Sequence, residues 1–256
     1  MKRGGRFFRG ALFFAVLVLI WEAVVVAAKV PPFLFPGPLD VAQSIRELLL
    51  HQELFPAVAA SMRRMAIGYS FSLAGGVLVG MLLAASRLAD ETLGSLLLGL
   101  QTLPSICWLP VAILWFGLGE AGILFVVVAG AFLAVASSAR DAFRNLPPVL
   151  FRAGRTLGAT GRGLWFRVAL PAAAPALLSG AKLGWSFAWR SLMAGELLSA
   201  GAPGLGQMLT MGRELNDLPR VAAVMVVIMI LGRTVDRFVF GPAEAAVAAR
   251  WGTTGR

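Results

Sequence analysis

Long apolar runs alternate with short polar ones along the whole chain. Residues 11–28, 65–85, 93–116, 119–139, 172–198 and 219–232 are each dominated by Leu, Val, Ala, Phe and Ile. A helix needs about 20 such residues to cross roughly 30 Å of hydrocarbon. The pattern therefore predicts an all-α membrane protein with about six transmembrane helices, the last being the shortest. Between the first two runs, Pro31, Pro32, Pro36 and Pro38 preclude a continuous helix. Residues 41–50 that follow have the spacing of an amphipathic helix, expected to lie on the membrane surface. Glycines recur inside the spans, at Gly68, Gly75, Gly76 and Gly80 in the second and Gly180, Gly184 and Gly195 in the fifth. They read as close helix packing, with a hinge as the alternative.

The polar connections orient these helices, because Lys and Arg are retained on the cytoplasmic side during insertion. The loop from 140 to 167 holds Arg140, Arg144, Arg152, Arg155, Arg162 and Arg167 against Asp141 alone. Six spans place this loop, the basic N-terminus, the turn at Arg87 and the tail with Arg233, Arg237 and Arg250 on one face, the cytoplasm. The opposite loops are mixed: Arg46, Arg63 and Arg64 with Asp40, Glu47 and Glu53, then Glu120, then Arg213 with Glu214 and Asp217. The expected organisation is a basic cytoplasmic N-terminus (1–10), a first transmembrane helix (11–28), an external segment with an amphipathic helix (29–64), a core (65–240) containing a cytoplasmic loop at 140–171, and a cytoplasmic C-terminal tail (241–256). Lys2, Arg3, Arg6 and Arg9 before the first run also fit a cleavable signal peptide. A run that holds Trp21 and Glu22 and has no evident break before Lys29 reads instead as a retained helix.

Composition agrees: 58% of the 256 residues are hydrophobic and 14% charged, too few charges to coat a soluble protein of this length. The net charge of +10 sits between apolar runs, without the aromatic-interleaved basic stretch that would stack nucleobases. Topology accounts for it. A single Cys107 and a single His51 exclude an intrachain disulfide and argue against a Cys/His metal cluster. Cys107 reads as small core filler. The chain has no Gly-x-x-x-x-Gly-Lys phosphate loop, no His-Glu-x-x-His pair and no Gly-x-Ser-x-Gly elbow. An enzyme is not expected, nor a cofactor bound by this chain, and any energy for transport must come from a partner or an ion gradient.

The most informative stretch is FRAGRTLGATGRGLWFRVALPAAAPALLSG, residues 151–180. Residues 152–157 have helical spacing, Gly158 breaks it, a second short helix can run to Val168, and Pro171 opens the next span. Leu157, Leu164, Trp165, Phe166 and Val168 are more apolar than a plain connection requires, which points to a docked partner. Here the sequence resembles the permease subunits of binding-protein-dependent ABC importers, type I permease-like in fold. Their cytoplasmic motif reads Glu-Ala-Ala, three residues, Gly, nine residues, Ile, one residue, Leu-Pro. Ala153, Gly158, Val168, Leu170 and Pro171 match at that spacing, while Arg152 replaces the glutamate and Gly154 the second alanine; Arg155 lies between. The resemblance implies that residues 152–171 seat in an ATPase subunit and couple its cycle to the spans. It further implies two ATPase copies using ATP and Mg, a second permease copy, and an extracytoplasmic substrate-binding protein at a cell inner membrane.

The stretches 61–68, LPSICWLPVAILWFGLGE (103–120) and AGELLSAGAPGLGQML (194–209) are similar to those of nitrate, sulfonate and taurine permeases. Relatives that import thiamine-precursor pyrimidines share much of the pattern. Independently of any resemblance, Arg190 falls near mid-span, where a charge is costly unless it meets water or a partner. Either it lines a translocation path and attracts an anionic solute, with Trp185 and Trp189 shaping the wall, or it is structural, capping carbonyls or pairing with Glu196. Lys182 is near enough to the inner interface to snorkel. Trp108 and Trp115, near Pro104 and Pro110, mark either a kinked, pore-facing third span or interfacial anchors. Gly201, Gly204 and Gly206 read as a flexible outer turn. The rival classes are a secondary transporter or channel, for which no internal repeat is evident, and a membrane enzyme, for which the acids and histidines are too few.

Overall fold

The computed structural model describes residues 3–29, 31–198 and 203–251. Lys2, Gly201 and tail residues 252–256, which figured in the sequence reading, lie outside them. Among the described residues all regular structure is helical: α1 Arg3–Ala28, α2 Pro38–Leu50, α3 Leu54–Ala85, α4 Arg87–Gln101, α5 Ser105–Phe116, α6 Glu120–Arg144, α7 Pro148–Thr156, α8 Gly161–Leu198, α9 Leu205–Glu214 and α10 Leu218–Trp251. By length and composition, α3, α6, α8 and α10 each suffice to cross a membrane, and α4 and α5, bent by 102° to each other, suffice only when taken together as a broken span or a re-entrant loop. The apolar part of α1, Leu12–Ala28, is shorter.

Three of these helices form the core. Met65 and Tyr69 of α3, Ile123, Val127 and Ala131 of α6, and Ala188 and Leu192 of α8 bury one another. Small residues set the spacing. A methyl group on Gly68 would fall 2.7 Å from Val127 Cγ1, and one on Gly80 only 2.5 Å from Ala139 Cβ. On α8, Gly180 meets Ser138 at 2.6 Å in the same sense, and Gly184 lies against Val135. The span glycines on these faces thus serve close packing, with dispersion contacts replacing the hydrophobic drive that lipid cannot supply. The Tyr69 hydroxyl adds a cross-tie, donating to the Ala181 carbonyl at 2.6 Å.

Several elements differ from the sequence reading. Helix α3 begins at Leu54, well before the apolar run at residue 65, so Arg63 and Arg64 lie within a helix and not in a loop. The third span is two short helices, since the chain turns sharply before Pro104, whose ring denies the helix an N–H. The sixth span is far longer than its apolar run, because a π turn at Asp236–Phe240 carries the helix on to Trp251. Val41 and Leu48 of the amphipathic helix α2 pack against Leu205, Met208, Ala223 and Val224, while Leu39, Leu49 and Leu50 stay exposed. Cys107, expected in the core, is exposed on the turn that opens α5.

Candidate functional site: elbow, cavity and buried ion-pair network

The elbow between α6 and α8 is built from the residues that carried the permease resemblance. Helix α7 ends at Thr156 and the chain reverses through Gly158 at φ +84° and Gly161 at φ +48°, a region where side-chain-bearing residues are strained. Residue 154 explains itself here. A methyl group on Gly154 would lie 2.9 Å from Leu164 Cδ1 and 3.0 Å from Val168 Cγ2, so glycine in place of the motif's alanine lets α7 press onto α8. Trp165 fills the junction, edge-on to Phe143 at 5.8 Å and to Phe151 at 6.2 Å. Contrary to the sequence reading, Pro171 opens no new helix. Helix α8 is continuous from Gly161, and a π turn at Trp165–Ala169 widens the backbone just ahead of the proline.

Of the elbow's apolar residues, Leu164 is buried and Trp165 and Val168 half-buried, all against α7 or α6. Leu157 and Phe166 stand out at 87% and 55% exposed. Around them Arg152, Ala153, Arg155, Arg162 and Arg167 are also exposed. From Asn145 to Gly195 the sequence contains no acid. The elbow thus presents two apolar knobs in a field of uncompensated positive charge.

A second feature lies at the break in the third span. A cavity of about 320 Å³ opens between the break, α6 and α8, lined by Gln101, Thr102, Ser105, Trp108, Gly130, Phe187 and Arg190 among others. The Arg190 guanidinium sits 4.7 Å over the Phe187 ring, and its Nε donates to the Ser186 carbonyl at 3.2 Å. It makes no ion pair among the described residues. Gln101 is fixed by Ser137, whose hydroxyl donates to Oε1 at 2.6 Å. Of the other path candidates, Trp108 shares this cavity, while Trp185 and Trp189 stack at 6.4 Å and pack into the core beside Tyr69 and Phe240. Trp115 is 71% exposed and joins Trp108 and Phe116 around Phe125.

Glu196 is elsewhere. Its carboxylate is fully buried and accepts from Arg64 Nη1 at 2.6 Å, from the Ser61 hydroxyl at 2.8 Å and from the Gly206 amide at 2.9 Å. The Ser61 oxygen in turn accepts from the Leu205 amide at 2.9 Å. Arg64, itself fully buried, reaches on to Glu120 at 2.7 Å, which also takes Arg63 at 3.0 Å. Two arginines therefore face two glutamates with no net charge. A methyl group on Gly204 would fall 2.6 Å from the Glu196 carboxyl carbon, so the segment read as a flexible turn is pinned at Gly204, and Gly206 already lies in the first turn of α9. The three stretches that resembled nitrate, sulfonate and taurine permeases converge on this network, supplying Ser61 and Arg64, then Glu120, then Glu196 with Gly204–Gly206. Sequence reasoning had left Arg64 and Glu120 as loop charges.

Residues 76–240 match the family described as binding-protein-dependent transport system inner membrane component. A Bacillus subtilis protein named as the aliphatic sulfonates transport permease SsuC is 30% identical over 93% of this chain and 86% of its own length. The taurine transport system permease TauC of Escherichia coli is 29% identical over 85% and 80%. The formylaminopyrimidine transport permease ThiX of Halalkalibacterium halodurans is 28% identical over 91% and 92%. The fold is that of a chain in the MetNI methionine ABC transporter in an inward-facing form, with a TM-score of 0.68 over 77% of this chain and 96% of that one at 21% identity. Family membership entails a multi-pass inner-membrane subunit without enzymatic activity, a separate ATPase that uses ATP, and a substrate-binding protein. The chain belongs to the binding-protein-dependent transport system inner membrane components, the permease subunits of ABC importers.

Proposed function

We propose that two copies of this chain, with two ATPase subunits using ATP and Mg and one extracytoplasmic binding protein, carry a small anionic solute of the sulfonate, taurine or nitrate kind into the cytoplasm. The elbow carries this reading. Leu157 and Phe166 present exposed apolar surface beside Arg152, Arg155, Arg162 and Arg167, which suits a complementary cleft in a partner and serves no purpose facing water. Each chain has one such elbow, so two ATPases require two permeases. With arginine at 152, contact with the ATPase rests on acidic groups of that partner. The same arginines favour the cytoplasmic side for the elbow and, by span count, for both termini.

The anionic character of the solute is supported by Arg190, an exposed mid-span cation without a carboxylate partner among the described residues. The relatives named for sulfonates, taurine and a pyrimidine are within 2 percentage points of one another in identity to this chain (30, 29 and 28%). Overall similarity therefore does not choose the solute, and a cation at the cavity supports an anion. The coupling assignment is tested by Gly158→Trp. Nothing lies within 4 Å of a Cβ placed at Gly158, so the substitution adds bulk on the elbow surface and also strains the turn. Membrane insertion is expected to be normal, while ATP hydrolysis no longer drives uptake. Coupled uptake at the wild-type rate would refute docking at the elbow.

A further inference from the structure

A second cluster of charges, separate from the Arg64–Glu196 network, lies where α6 runs into the elbow. Asp90 of α4 accepts from Arg140 Nε with one carboxylate oxygen and from Arg144 Nη1 with the other. The Asp90 side chain is 13% exposed and that of Arg140 19%, while Arg144 is half exposed. The two arginines are one turn apart at the end of α6, and α7 begins at Pro148, one turn's length of chain beyond Arg144. Phe143, next to Arg144, is the residue against which Trp165 of the elbow packs. A single ion pair would act as a pivot. Separate bonds from the two oxygens to two arginines fix how α4 is turned on α6 as well as where it sits. The local backbone makes room for this arrangement. Asp90–Gly94 is a π turn, a form frequent at functional sites, and a methyl group on Gly94 would crowd Asp90 Oδ1 at 3.0 Å.

The other attachments of α4 follow the same stripe. Asp90, Gly94, Leu97 and Gln101 recur at helical spacing. Leu97 is buried with Leu83 of α3 and Ala136 of α6, and Gln101 Oε1 accepts from the Ser137 hydroxyl of α6 at 2.6 Å. The rest of α4 gives little hold within this chain, with Leu88, Leu93, Leu96 and Leu98 exposed. Helix α4 is therefore a short strut on α6, fastened by polar contacts at both ends, and its far end, residues 101–104, forms part of the cavity wall at the break. We propose that Asp90 is a positioning residue for coupling. Its hold on Arg140 and Arg144 makes α4 follow the elbow end of α6, so a displacement of the elbow reaches the broken helix and the cavity as well as α8. This inference rests on the importer reading, in which a partner grips the elbow, and adds a second route from that grip to the cavity.

The test is hydrogen–deuterium exchange, read by mass spectrometry, on the permease–ATPase complex in lipid nanodiscs, once without nucleotide and once trapped with ATP and vanadate. In the wild type, amide exchange in residues 90–104 and in the elbow, residues 148–160, is expected to differ by about fivefold or more between the two states. In Asp90→Asn and in Arg144→Gln the elbow should keep its response while residues 90–104 lose theirs, and Asp90→Glu should restore part of it. Arg144 is half exposed, so its variant decides the matter if Asp90→Asn fails to assemble with the ATPase. Stimulation of ATP hydrolysis by the binding protein should fall about fivefold in Asp90→Asn, and no further when Arg144→Gln is added, since the second change removes a contact already lost. Two results overturn the proposal: a wild-type complex in which the elbow responds and residues 90–104 do not, or variants in which residues 90–104 exchange faster in both states by the same factor and keep their response. The second would leave Asp90 as a plain fastener. An elbow that does not respond in the wild type sinks instead the importer reading on which the inference rests.

Discussion

At the scale of single residues, the determining contacts are long-range and polar. Arg64 and Glu196 are 132 positions apart and meet with both side chains fully buried. Neither is tolerable there alone, since an unpaired charge in a dry site costs several kcal/mol. Glu196→Gln should therefore lower the stability of the purified permease by about 3–5 kcal/mol, read as thermal unfolding in detergent. Glu120→Gln should cost well under half of that, because the Glu120 side chain is 44% exposed and water can replace part of what is lost. Equal losses for the two variants would show that the buried end of the network is not its costly part. Little of this was legible in the sequence. Arg64 follows Arg63 ahead of an apolar run, where an ordinary loop charge would stand, and nothing local indicates that helix α3 starts at Leu54 and carries Arg64 inward. Arg190 was legible, because it is a lone cation deep in an apolar run.

At the scale of elements, what matters is where helices are interrupted. The sequence marked the sites with Pro104, Gly158 and Pro171 but not the outcomes. At Pro104 the chain turns by 102° and opens a cavity. At Pro171 a preceding π turn absorbs the missing hydrogen bond and the helix runs on. Distinguishing these outcomes requires the neighbours: α8 packs on α6 and α3 through Ala188 and Leu192, whereas α4 and α5 bury only single short patches, Leu97 on one and Leu109 with Ala112 on the other. The elbow behaves as part of α8 because α7 is seated on it through Gly154. Gly154→Leu would drive a branched side chain into Leu164 and Val168, an overpacking worth about 1–3 kcal/mol. Since α7 lies at the edge of the molecule, that energy is relieved by lifting α7 from α8. We expect uptake to fall at least tenfold while the thermal unfolding of the α3, α6 and α8 core shifts by no more than about 3 °C, and Gly154→Ala to remain within a fewfold of wild type. A large drop in the unfolding temperature with Gly154→Leu would place α7 in the core and contradict the coupling role proposed for it.

At the scale of the whole molecule, the parts fall in an order that suits energy transfer. The elbow at one end of α6 and α8 is the surface a partner can grip. The cavity lies part-way along α8, and the Arg64–Glu196 network ties the far ends of α3, α6 and α8 to the start of α9. On the proposed reading, a push at Leu157 and Phe166 is delivered to a continuous helix that carries both Arg190 and Glu196. The membrane class and the apolar runs were readable because hydrocarbon thickness imposes their length, and the elbow because its glycines and proline must recur at fixed spacing. The convergence of three distant stretches on one network was not, since no periodicity encodes tertiary proximity. The most direct test of the account is solute uptake into proteoliposomes containing the permease and its ATPase, with the binding protein outside and ATP inside. The account predicts uptake only when ATP, ATPase and binding protein are all present, and its loss with Gly158→Trp. Uptake driven by an ion gradient in the absence of the ATPase would contradict it.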